Sequence, residues 1–174
     1  MKHTKNILKS LLITVMALSL LAVSCKKDEG GSKPTDPTPI TITAENITEG
    51  FKALGNALAI DVVKFDFTKF TASKSEVEIK ATESSDQANK AKIQAGLEAL
   101  KITVKGANVK LSNIVVPEVN TATSITMNVT ITPDGNNTFA EDVSSSYKVQ
   151  DKSVVFSLKL STADGTKKWN EAQS

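Results

Sequence analysis

Ile125, Met127, Val129 and Ile131 alternate with Thr126, Asn128, Thr130 and Thr132, and Val154, Phe156, Leu158 and Leu160 repeat the pattern opposite Val155, Ser157 and Lys159. A period of two puts every apolar side chain on one face, so each segment reads as a strand with one buried and one wet face. Parallel strands covered on both sides are apolar throughout, so this alternation argues for an antiparallel sheet. Shorter runs agree. Val63, Phe65 and Phe67 alternate with Lys64 and Asp66, Val77, Ile79 and Ala81 with Glu78 and Lys80, and Ile102 and Val104 precede a turn at Gly106-Ala107-Asn108, after which Val109 and Leu111 resume.

Two helices accompany the strands. Asn46 is placed to cap the first, with Glu49 three residues on and Ile47, Phe51, Leu54 and Leu58 on one face, interrupted by Gly50 and Gly55. Ser84, Ser85 and Asp86 supply the start of the second, Asp86 and Lys90 form an i,i+4 pair, and Ile93, Leu97 and Leu100 share its face. At an offset of 42, Phe51, Ala53, Ala57, Leu58, Ile60 and Val62 echo Ile93, Ala95, Ala99, Leu100, Ile102 and Val104, as a degenerate helix-strand repeat would. The expectation is an α+β fold, an antiparallel β-sheet with two α-helices.

The N-terminus has another character. Lys2, Lys5 and Lys9 precede an apolar run of 13 residues from Leu11 to Val23, short of the about 20 residues that span a bilayer. It reads as a secretory signal. Leu21-Ala22-Val23-Ser24-Cys25 resembles the lipobox of bacterial lipoproteins, with Ala22 where Leu is usual. The resemblance implies cleavage before Cys25 and acylation of its thiol and new amino group, with the lipid bilayer as the first partner. Several acyl chains, at about 0.8 kcal/mol per buried methylene, would hold the protein stably. Lys26, Lys27, Asp28 and Glu29 resemble the export signal of Bacteroidetes-type surface lipoproteins, which implies the outer membrane and its cell-surface side.

From Lys26 to Pro39 the chain has 14 residues, including Gly30, Gly31, Pro34 and Pro37. At about 3.1 Å per residue in polyproline form this tether would reach about 40 Å. The organisation is therefore 1–24 signal peptide, 25–39 lipidated flexible tether, and 40–174 a single α+β domain. With its helix and strand units and a Thr-, Ser- and Lys-rich surface, that domain is weakly similar to lipoprotein 17-related surface domains, a similarity that implies no functional residue.

Composition then removes chemistries. All 21 basic residues are Lys, so no guanidinium fork is available for phosphate or carboxylate, and loss of residues 1–24 leaves 18 Lys against 19 acids, a formal charge of −1. A near-neutral chain has no field to draw nucleic acid. His3 and Cys25 are the sole His and Cys, so the domain lacks the imidazole of a Ser-His-Asp triad and the ligands of common zinc sites. No phosphate-binding glycine loop occurs, and the acids and lysines show no distinguishing spacing. No catalytic residue, cofactor or metal is assigned. Asp134-Gly135-Asn136-Asn137-Thr138 has a calcium loop's alternating oxygens but Ser145 at the twelfth position, and reads as a turn. Phe70, out of phase, and Trp169, in a polar tail, are the candidates for exposed aromatic contacts, with packing onto the sheet favoured.

The expectation is a non-enzymatic surface lipoprotein with an interaction or antigenic role towards a protein or glycan partner. A periplasm-facing accessory of an envelope complex is the alternative, and a small-ligand carrier or hydrolase the third reading.

Overall fold

In a computed structural model of the chain, describing residues 38–56, 58–60, 63–84, 88–165 and 168–169, a compact unit begins at Pro39. Strand β1 (Thr41–Ile42) leads into helix α1 (Ala44–Lys52), then come β2 (Leu58–Ile60), β3 (Val63–Phe65) and a 3-10 turn at Phe67–Lys69. β4 (Glu76–Ser84) precedes helix α2 (Lys90–Glu98), and β5 (Ala107–Val115), β6 (Ser124–Pro133) and β7 (Thr138–Phe139) follow. Helix α3 (Glu141–Ser146), β8 (Val149–Gln150) and β9 (Ser153–Ser161) complete the order. The main sheet runs β2-β3-β4-β9-β6-β5, with β8 on β9, and β1 and β7 form a separate parallel pair. The fold is α+β with a curled, mostly antiparallel sheet.

The two segments with the clearest alternation are the two central strands. β6 and β9 pair antiparallel from Ser124↔Ser161 to Ile131↔Val154, and Ile125, Met127, Val129, Ile131, Val154, Phe156, Leu158 and Leu160 are all buried. The other side of β9 departs from the antiparallel expectation: β4 pairs with it in parallel, from Glu76↔Ser157 to Lys80↔Ser161. A parallel pair needs a long connection, and residues 85–152 supply one. β4 nevertheless keeps its alternation, with Val77, Ile79 and Ala81 buried and Glu76, Glu78 and Lys80 exposed, because one face stays wet whichever way the neighbour runs.

The helices begin elsewhere than their sequence signals suggested. Thr43, not Asn46, caps α1: its hydroxyl accepts from Asn46 N at 3.2 Å while Asn46 Oδ1 accepts from Thr43 N at 3.1 Å, a reciprocal capping box. Asp142 of α3 adds its Oδ2 as acceptor for Ala44 N at 3.1 Å. The helix stops at Lys52, so Leu54 lies in the following turn and Leu58 on β2. Asn89 caps α2 by accepting from Lys92 N at 3.0 Å, whereas Ser84 ends β4 and Ser85 and Asp86 lie outside the described residues. Ile93 and Leu97 are buried as expected.

Three further corrections concern short segments. Phe67 opens the 3-10 turn instead of extending β3, because Asp66 accepts from Thr68 N at 3.1 Å and curls the chain there. Helix α3 was not anticipated, and its six residues carry only one buried side chain, Val143, too few for a period to register. Ile102 and Val104 form no strand: Val104 makes a single bridge to Ala107 across a turn at Lys105-Gly106. The helix halves of the 42-residue echo are thus both helical, but the strand half is not repeated.

Four aromatic rings join the helical layer to the sheet. Phe51 of α1 stacks on Phe70 with centroids 4.3 Å apart, and Phe156 of β9 lies 5.6 Å from Phe51, 6.1 Å from Phe70 and 5.6 Å from Tyr147. Phe70 and Trp169, the two candidate exposed contacts, are both buried, with Trp169 against Phe65 at 5.8 Å.

Candidate functional site

The residues to which the sequence assigns anchoring and export, Cys25, Lys26, Lys27, Asp28 and Glu29, lie outside the described residues. Within the domain a groove of about 640 Å³ lies between β5 and the chain running from the end of α2 to Thr103. It is made by a hairpin that fails to zip. After the bridge at Val104↔Ala107, the preceding residues would continue as a strand on the outer edge of β5, but they splay away. Gly50 shows why: a Cβ placed there would stand 2.6 Å from Thr103 O and 2.9 Å from Val104 Cγ2, so this segment is held against the bare backbone of α1.

The floor of the groove is apolar. Val109, Leu111 and Ile114 of β5 face Leu97, Leu100 and Ile102 across it, and all but Leu97, which is buried, are partly buried. Val109 and Leu111 sit opposite Ile131 and Val129 and so carry the inner face of the sheet to its border. Lys101 and Lys110 stand exposed along it, and no ion pair engages them among the described residues. Glu98, the acid in the lining, accepts from Gln94 Nε2 at 2.6 Å. Beyond Ser112 a register shift and Asn113, with φ of 53°, end the regular edge, and Val115 is 68% exposed. The sequence signalled only the alternation of β5. That its outer edge is left without a partner among the described residues follows from tertiary packing.

The end of the domain where Ile40 enters is fixed by a side chain. Asn137 Oδ1 accepts from Ile40 N at 2.8 Å and its Nδ2 donates to Gly106 O at 2.9 Å, so one amide ties three segments together. The oxygen-rich run that holds it is a turn, closed by Asn137 N donating to Asp134 O at 3.0 Å. Ser145 lies exposed on α3, away from that turn's backbone ladder, and among the described residues no cluster of three His, Cys, Asp or Glu forms.

Two carboxylates line a smaller, polar concavity of about 380 Å³ over β4. The Thr68 hydroxyl bonded to Asp66 holds that carboxyl below its ordinary pKa, assisted by Thr68 N and Lys69. Glu78 is likewise lowered, first by the Ser161 hydroxyl and then by Lys159, 3.4 Å away, and Lys80. A general acid at neutral pH requires the opposite shift. Tyr147 is raised by burial, partly offset by its hydroxyl contact with Thr48 at 3.0 Å, and serves to fasten α3 to α1.

The depressed carboxylates imply a pH dependence. Their folded-state pKa lies below the unfolded value, so their contribution is complete above the ordinary carboxylate range and is lost as pH falls from that range through the lowered folded-state values. Denaturant midpoints measured from pH 7 down to pH 3 are expected to drop in that window. Ser161→Ala, which removes the main donor to Glu78, should flatten the drop while Asp66 retains its share; parallel curves for the two proteins would refute the assignment to Glu78.

Compared with known proteins, the chain matches no family model, no curated sequence and no solved structure, so its role has to be read from its own residues.

Proposed function

We propose that this protein is a lipid-anchored lipoprotein of the outer membrane whose domain acts on the cell surface as a non-enzymatic interaction module. The observation that carries the reading is Cys25 directly after Leu21-Ala22-Val23-Ser24 and before Lys26, Lys27, Asp28 and Glu29. Cleavage and acylation there would leave the Gly- and Pro-containing stretch up to Pro39 as tether and the compact unit from Pro39 as cargo. Two features of the domain support a binding role over catalysis. Its shifted carboxylates are held ionised, with directions opposite to a proton donor's. The groove beside β5 is lined mainly by apolar side chains with Lys101 and Lys110 along it, a composition suited to binding.

The test is protease shaving of intact cells with antibody detection of the domain, beside alkyne-palmitate labelling. Wild-type protein should take up the label and be digested while a periplasmic marker survives. Cys25→Ala should lose the label and the membrane fraction together. A labelled domain that resists protease until the outer membrane is opened overturns surface exposure and favours the periplasm-facing accessory reading. An unlabelled wild-type protein overturns the anchor itself.

A further inference from the structure

We propose that the open edge of β5 receives an extended acidic segment of a partner protein, which adds to the sheet as a further strand with alternate apolar side chains entering the groove. The backbone register comes first. Asp134 N donates to Gly106 O at 2.9 Å, and Ala107 lies opposite Pro133, which has no N–H to give. Bonded and non-bonded pairs alternate along an antiparallel ladder, so Asn108 and Lys110 bond to β6 while the N–H and C=O groups of Val109 and Leu111 point outward. Ala107 N is already satisfied by Val104 O at 3.1 Å, where the abortive hairpin ends. The donors and acceptors beyond it are those a new strand needs.

Side chains and charge complete the match. A strand laid beside Val109 and Leu111 directs every second residue onto the same inner face, where Leu97, Leu100 and Ile102 line the groove with them. Its remaining residues face outward near Lys101 and Lys110, two cations without ion-pair partners among the described residues, against the single, already bonded Glu98. This favours acids at alternate positions. It disfavours a second copy of the same edge, which would bring a second set of lysines to the first, and like charges facing across strands are destabilising. The register shift before Val115 limits the added strand to the stretch beside 107–111.

The test uses the purified full-length chain in neutral phosphatidylcholine vesicles and fluorescence anisotropy of a short labelled peptide of alternating valine and glutamate. Saturable binding is expected. N-methylation of alternate peptide amides, which removes two backbone bonds, should weaken it about tenfold or more. A valine and lysine peptide should bind at least about tenfold more weakly, and Lys101→Glu with Lys110→Glu should invert that preference. Val109→Pro removes an outward N–H that β6 does not use but also the half-buried valine side chain, so the variant should fold with a modestly lower denaturation midpoint and lose binding, whereas Val109→Ala, which keeps the N–H, should still bind. Should that variant misfold, the methylated peptide and the charge inversion still decide the matter. Absence of saturable binding, binding indifferent to N-methylation, or binding of laurate without any peptide binding overturns the proposal, the last by making the groove a pocket for amphiphiles. None of these outcomes depends on which side of the outer membrane the domain occupies.

Discussion

Phe156→Ala is expected to cost about 4 kcal/mol of folding stability. The ring is 2% exposed and contacts three others, from α1, from the residue after the 3-10 turn, and from the residue after α3. Its removal therefore leaves a cavity lined by three rings from separate parts of the chain, and none can move in without leaving its own place. Packing between tilted rings adds about 0.5–1.5 kcal/mol per pair beyond area burial, which places this site at the upper end of the range for aromatic truncation. Urea denaturation of the full chain followed by tryptophan fluorescence measures it, since Trp169 is buried against Phe65 and reports on the same core. Phe156→Leu should lose less than half as much. A loss below about 1 kcal/mol for Phe156→Ala would mean that the four-ring cluster does not hold the helices to the sheet.

Gly50→Ala should destabilise the protein by about 1–3 kcal/mol, although alanine is the better helix former by about 1 kcal/mol. The added methyl would meet Thr103 O at 2.6 Å and Val104 Cγ2 at 2.9 Å. The nearer of these is backbone, which has no rotamer into which to retreat. The effect should therefore exceed the helical gain and reverse the sign that propensity alone would give. Because that contact also holds the 100–104 segment away from β5, the same substitution is expected to raise amide exchange in Lys101–Val104 above that elsewhere in the domain. A neutral or stabilising result would show that the segment yields easily and that Gly50 does not set its course.

The sequence features that proved legible were those with a purely local cause. The alternations at 125–131 and 154–160 correspond to the buried faces of the two central strands, since a side chain's direction along a strand depends on nothing beyond the backbone. Ile93 and Leu97 fall on the buried face of a helix for the same reason. Features that depend on a choice between equivalent local signals were misplaced by a few residues: Thr43 and Asn46 are both capping residues, and the cap went to the one whose partner completed the box and left Ala44 N free for Asp142. Ser84 was equally suited to begin a helix, but β4 runs through it, where its hydroxyl donates to Trp169 O.

The groove was not legible at all, because it consists of a pairing that does not form. Ile102 and Val104 carry a strand's alternation, and the tight turn at Lys105-Gly106 would return them along β5; Gly106 adopts a φ of 79°, suited to such a turn. Instead Thr103 and Val104 lie against the backbone of Gly50, some fifty residues earlier, on a helix that the local sequence around Ile102 does not mention.

By itself, then, the amino-acid order determined the buried faces of β4, β6, β9 and α2, the α+β class, and the expectation of a lipid anchor at Cys25, all of them properties of short stretches read one at a time. The tertiary structure alone decided that β4 lies parallel to β9, that Asn137 ties Ile40 to Gly106, and that β5 has no partner on its outer edge among the described residues, above an apolar floor. Each of these is a contact between residues far apart in sequence, and its energy depends on the shape and backbone access of both partners, which no single stretch encodes.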